Sequence, residues 1–382
     1  QLSFEQEFNI RHSLENIINN YSGKNVKQLS LNDLLEYGNN IDINELKIKY
    51  ANITLNNLLI LNAKRINRLR ELPYFILLNP YISLSYNLYL KSFELLIKIG
   101  EITNINQIDE FLEKLNVFLT YHSNNIPTLS QGFKEILSYY PKDKASNFLD
   151  LHLRDRILMK LIALNYSYLI NPPNSSNIGI IDLKLNINKI IQRCEEFVND
   201  ICQIKYFTGC KVEIISNNDE LDTDNSDNSD NAIANTNNDI LFPFVYSNLE
   251  YCFTEILKNS FRAHIENKVD SDIPIQITII KNYEITKDEN DPTKITSKIP
   301  ILEVRIRDVG GGIQPDIEKH IYDFNFTTFK DYDNENDFSE RAVAGMGYGL
   351  GLSRNYIEMF GGSFKLQTYW GWGTDVYITV KG

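Results

Sequence analysis

The sequence predicts an α+β chain of two domains, an antiparallel helix bundle followed by an α/β domain. Three observations carry this. Residues 1–172 are rich in Leu and Ile, poor in Gly, and apolar at every third or fourth position. The stretch "INPPNSSNIG" (170–179) breaks that pattern with prolines, serines and asparagines, as a linker does. Residues 179–382 then turn to short β-rich runs alternating with helices, the texture of a sheet with helices packed on it.

In the first domain, residues 43–69, 88–99, 108–122 and 147–169 each repeat apolar residues at helical spacing, and long helices with short joints pack as an antiparallel bundle. "PYFILLNPYISL" (73–84) is too short for a membrane span and holds two prolines, so it reads as core. In the second domain one more helix covers 186–206, and strands are expected at 211–215, 273–283, 300–309, 362–370 and 374–380. The acidic, low-complexity stretch 216–239 buries too little apolar area to offset the entropy of ordering, so it is expected to be a disordered insert. "TKDENDPTKITSK" (286–298) reads as a hairpin tip.

A net charge of −12 and a pI near 5.0 disfavour a nucleic-acid or anionic-membrane binder. No apolar run is long enough to span a bilayer. The four cysteines form no C-x-x-C pair and read as reduced, mostly buried thiols.

The chemistry begins at "TEILKNSFRAH" (254–264), a helix in which Glu255, Lys258, Asn259 and Arg262 interrupt an apolar run. "SNLE" (247–250) has the form of a capping box and places the helix start near Ser247. Glu255 and Asn259 are one turn apart and share a stripe, and Arg262 lies on the same side. "VRIRDVGGGI" (304–313) is a strand ending in Asp308 before Gly310 and Gly312. A carboxylate there can accept a hydrogen bond from an adenine amino group. "GMGYGLGLSRNY" (345–356) is a second glycine-rich turn that runs into a helix. Its Gly345, Gly347 and Gly349, with Tyr348 and Leu350 between, leave amides facing phosphate at a helix N-terminus. "GWGTDVYI" (371–378) puts Thr374 at the start of the last strand, within reach of the same ligand.

These pieces, in this order, resemble the ATP site shared by histidine kinases, gyrase-type topoisomerases, the heat-shock chaperone of that superfamily and MutL-type repair proteins. The resemblance implies a Bergerat-type α/β sandwich that binds ATP and Mg2+, with Asn259 holding the metal and residues of about 314–344 forming a lid. "ILKNSFRA" (256–263), "DVGGGI" (308–313), "FNFTT" (324–328) and "GYGLGLSRNY" (347–356) narrow it. So do three stretches of the first domain, 72–96, 122–132 and 147–164. Together they look like the mitochondrial protein kinases of the 2-oxoacid dehydrogenase complexes, those of pyruvate dehydrogenase and of branched-chain 2-oxoacid dehydrogenase.

That family resemblance implies a matrix enzyme, a homodimer docked through its bundle domain on a lipoyl domain. It phosphorylates serine on the decarboxylase α subunit. The resemblance gives Glu255 the role of general base and His122 that of tuning it. It puts Thr327 and Thr328 among the nucleotide-binding residues, and Arg156 with Lys160 in a regulatory pocket for 2-oxoacid-like carboxylates. Lys160 stands where the family has a second arginine, and Asp155 adds negative charge beside it. Lys258 and Arg262 are placed either to offset phosphate charge or to pair with Glu255. "FNFTT" and the end at Gly382 lean toward the branched-chain side of the family. Two other readings compete: a two-component histidine kinase, whose acceptor motif neither His12 nor His122 provides, and a non-catalytic ATP-binding scaffold.

Overall fold

The structure is a computed structural model and describes residues 4–26, 30–38, 43–123, 125–218, 239–287, 295–323 and 348–382. The chain divides into two compact units, Gln1–Ile180 and Ile181–Gly382.

The first unit is helical: α1 (Phe4–Ser22), α2 (Leu31–Gly38), α3 (Asn44–Arg70), α4 (Tyr74–Leu77), α5 (Pro80–Ile97), α6 (Gln107–His122), α7 (Asn125–Ile136) and α8 (Lys142–Ile170), then a two-residue strand β1 (Asn177–Ile178). Helix α3 lies between α1, α5 and α8. Its Leu55, Leu58, Leu59, Ile66 and Leu69 are buried there, because their spacing keeps one broad stripe facing the neighbours. The joint before α5 is set by Asn79, whose side chain accepts from the amides of Tyr81 and Ile82, and by Pro80 at the first helical position. This joint corrects the reading of 73–84 as core. A single turn followed by a capped restart turns only Ile76 and Ile82 inward, whereas Tyr74, Leu78 and Leu84 are exposed. Among the described residues no helix is long and apolar enough to cross a membrane.

The second unit comprises β2 (Ile181–Asn186), α9 (Ile187–Tyr206), β3 (Val212–Asn218), β4 (Leu241–Val245), α10 (Tyr246–Glu266), β5 (Ile275–Lys287), β6 (Ile295–Asp308), α11 (Pro315–Glu318), α12 (Gly349–Glu358), β7 (Ser363–Tyr369) and β8 (Gly373–Lys381). Its main sheet has the order β3-β5-β6-β8-β7, with β3 and β5 parallel and the other pairs antiparallel. Strands β2 and β4 pair separately. Period-2 alternation sends Ile277, Ile306 and Val376, which are register partners, to one buried face. Helices α10 and α12 pack against strands of this sheet, and α9 packs against α10 and β3. The opposite face carries Arg305 and Arg307, both paired with Asp375 at 2.9 and 2.8 Å.

Two expectations shift here. Strand β3 runs to Asn218, into the stretch read as disordered, because Ser216, Asn217 and Asn218 pair with Ile279, Ile280 and Lys281 of β5. Residues 219–238 lie outside the described residues. The expected tip at 286–298 shortens: β5 and β6 pair as far as Lys287 and Ile295, and 288–294 lie outside the described residues.

Candidate active site

Helix α10 supplies the floor of the site. Leu249, Phe253, Ile256 and Leu257 are buried, which fixes the helix's rotation and turns the Glu255–Asn259 stripe outward. The helix begins at Tyr246, with Val245 as its N-cap. Ser247 therefore sits inside the first turn and is not the predicted cap. The box is replaced by a side-chain pair in which the Tyr246 hydroxyl donates to Glu250 at 2.6 Å.

A cavity of about 350 Å³ opens over this stripe. Glu255, Asn259, Arg262, Asp308, Gly349 and Thr374 all line it, so residues distant in sequence converge as expected. Gly310, Gly312 and Leu350 line it too, while Tyr348 is buried just before α12. Gly345, Gly347, Thr327 and Thr328 lie outside the described residues, as does the predicted lid beyond Asp323.

Asp308 closes the inner end. One of its oxygens accepts from the amides of Gly310 (3.0 Å) and Thr374 (3.3 Å), and the other from the Ser260 hydroxyl (3.2 Å). Burial pushes its carboxyl above the usual range, against these hydrogen bonds, which hold it down. The turn after Asp308 lies flat on α10. A β-carbon on Gly310 would stand 2.4 Å from that of Ala263 and 2.8 Å from its backbone, so only glycine fits.

Glu255 and Lys258 form an ion pair at 2.5 Å with little exposure on either side chain. Of the two cations, Lys258 thus pairs with Glu255, whereas Arg262 pairs with Glu266 at 2.6 Å. The second oxygen of Glu255 lies against Gly349, where a β-carbon would come within 2.4 Å of it. Gly349 is the first residue of α12, so the carboxylate sits at a helix N-terminus, a place whose field favours negative charge. Asn259 is exposed into the cavity and offers an amide oxygen, the hard donor that a magnesium ion takes.

Ile317 and Ile321 come from the stretch read as the lid, whereas the sequence reading missed further walls of this cavity, Asn267, Leu366 and Trp370. Their residue types carry no motif, and only tertiary structure brings them together.

His122, Arg156 and Lys160 belong to the first unit. His122 is buried, 2.9 Å from the Ser92 hydroxyl and against the rings of Tyr89 and Phe118. Arg156 donates to the carbonyl of His122 at 2.5 Å. Burial pushes Lys160 below its usual range, aided by Arg156. Asp155 pairs with Arg68, which engages its negative charge. The buried Arg65 guanidinium lies over the Tyr89 ring at 4.9 Å and donates to the His152 carbonyl. Among the described residues two of its nitrogens have no hydrogen-bond partner.

Burial, with Arg65 and Arg156 nearby, pushes His122 down from 6.5 to about 3, and burial holds His152 well below its usual range. The unfolded chain therefore takes up protons below 6.5 that the folded chain refuses. Stability is lost as pH falls from there toward the folded value, by about 2 kcal/mol from His122 near pH 5. Thermal melts should fall across that window, and His122→Asn should flatten the fall. A melting temperature that ignores pH would show these imidazoles are not held neutral.

Comparison with known proteins follows the same division. Residues 28–182 match the family described as mitochondrial branched-chain alpha-ketoacid dehydrogenase kinase. Residues 245–382 match the histidine kinase-, DNA gyrase B- and HSP90-like ATPase family. The mitochondrial pyruvate dehydrogenase (acetyl-transferring) kinase 1 of Saccharomyces cerevisiae is 33% identical over 100% of this chain and 91% of its own length. The corresponding mitochondrial kinase of Arabidopsis thaliana is 25% identical over 92% of this chain and 90% of its own. Isozyme 4 of Mus musculus is 25% identical over 81% and 71%. With the whole of this chain matched by one relative at 33% identity and both units matched in order, the chain belongs to the mitochondrial pyruvate dehydrogenase and branched-chain 2-oxoacid dehydrogenase kinase family.

Proposed function

We infer that this protein is an ATP-dependent protein-serine kinase of a mitochondrial 2-oxoacid dehydrogenase complex, phosphorylating and inactivating its decarboxylase α subunit. The observation that carries the reading is one stripe of α10. Glu255 and Asn259 face a single cavity closed by Asp308 at one end and by the N-terminus of α12 at the other.

Each residue then has a task. Asp308 and Thr374 receive the adenine end, and Ser260 orients the Asp308 carboxylate. The α12 N-terminus and the preceding glycine turn take the phosphates. Asn259 would hold Mg2+, which when bound neutralises phosphate charge. Glu255 accepts the proton of the substrate serine as its oxygen bonds to the γ-phosphorus, and the bond to the ADP oxygen breaks. Lys258 holds one oxygen of Glu255 at 2.5 Å and leaves the other turned toward the phosphate end. His122 tunes Glu255 in this reading. Arg156 and Lys160 sense a carboxylate, which the unmatched nitrogens of Arg65 and His152 support. The first unit, an antiparallel bundle, docks on a lipoyl domain, and the enzyme acts as a homodimer in the matrix.

The test is incubation with the purified decarboxylase components of the pyruvate and branched-chain complexes and labelled ATP. Label on a serine of one α subunit is expected and names the substrate. Acid-labile label on the protein's own histidine would make it a histidine kinase, and ATP binding with no transfer would make it a scaffold.

A further inference from the structure

Asp308 is useful only if it stays where a base can reach it, and the backbone after it has no regular structure to hold it. The hold comes from the end of α10. His264, buried on that helix, accepts the amide of Val309 on its Nε2 at 3.1 Å. One turn on, Asn267 donates to the carbonyl of Gly310 at 2.8 Å. The helix end is itself fixed: Lys268 takes a positive φ of 53°, and the Val269 amide returns to the His264 carbonyl at 3.0 Å. Of these groups only His264 can gain a proton near neutrality.

We propose that His264 is a positioning residue for nucleotide binding, an imidazole that must be neutral at Nε2 to lock the Val309 amide and so hold Asp308 on target. The proposal rests on the ATP-kinase reading of the same cavity. A ring that accepts at Nε2 carries its proton on Nδ1. Protonating Nε2 replaces the acceptor with a second donor aimed at an amide donor, which breaks the contact. Burial keeps His264 below its usual range, so it accepts at neutral pH and fails only in acid. The titratable groups around it are compatible with this. Cys210 and Lys211 come from the segment before β3, and Lys268 and Asp270 follow α10. Lys211 is paired with Asp272 at 2.6 Å, and the Cys210 thiol, pushed up to about 11 by burial, is neutral. Asp308 itself is one residue from the bonded amide.

The experiment measures ATP affinity by calorimetry, and KM and kcat in the kinase assay, on the full chain from about pH 7.5 to pH 5.5. His264→Leu leaves the Val309 amide without its acceptor and should weaken ATP about tenfold at the upper pH while kcat moves less. His264→Gln places an amide oxygen near the Nε2 position. It should recover part of that affinity and lose the acid-side weakening that the unsubstituted protein shows. Equal ATP affinity in His264→Leu, or an acid limb unchanged in His264→Gln, overturns the proposal. Should the leucine variant not fold, the pH comparison between the glutamine variant and the unsubstituted protein decides by itself. No ATP binding by the unsubstituted protein at any pH would instead sink the kinase reading.

Discussion

Asn259→Ala is expected to abolish magnesium-ATP binding while the protein stays folded. Asn259 is exposed into the cavity from a helix whose opposite face is fully buried, so truncating it removes the proposed ligand and no core contact. A supporting group beside a metal ligand is typically worth roughly 10–100-fold in affinity, and a direct oxygen ligand to a hard cation should exceed that. Calorimetric titration with ATP, with and without Mg2+, checks this. A variant whose magnesium-dependent affinity equals the parent's would place the metal elsewhere, and with it the phosphate end of the site.

Glu255→Gln should give the complementary result, with ATP affinity kept and phosphotransfer lost. Glutamine has the same shape, so it still fits between Lys258 and Gly349, but its amide cannot accept the serine proton. The rate should fall by roughly 10²–10⁴-fold. Single-turnover transfer measured beside nucleotide titration separates the two effects. Full transfer in this variant would remove Glu255 as base and leave it as the partner of Lys258. The pair of variants divides binding from chemistry along one helical turn.

Much of this site was legible because its chemistry is local. Glu255 and Asn259 are set by helical spacing, Asp308 by the end of a β-run, and Thr374 by the strand start opposite it, where the register pairs the two. What escaped was tertiary. Ser260 and His264 sit inside the quoted helix, yet nothing in their spacing tells that one turns to Asp308 and the other to Val309. The capping box failed for a related reason. Val245 ends β4 and enters the helix directly, so the helix starts where the strand lets go and not at the best side-chain cap. The apolar stretch 73–84 misled because composition was read without phase. Pro80 restarts the helix and turns Tyr81 and Leu84 away from the buried Ile82.

The hairpin between β7 and β8 has a practical meaning. It carries the protein's two tryptophans, Trp370 and Trp372, and is tied to the Asp308 turn by the Gly371 amide on the Gly311 carbonyl at 2.8 Å and the Gly311 amide on the Trp372 carbonyl at 3.2 Å. Trp370 forms part of the cavity rim. The molecule's whole indole emission therefore originates at the mouth of the cavity proposed to hold the nucleotide. With excitation to the red of the absorption of the 22 tyrosines, occupancy of that pocket can be followed by indole fluorescence on unlabelled protein.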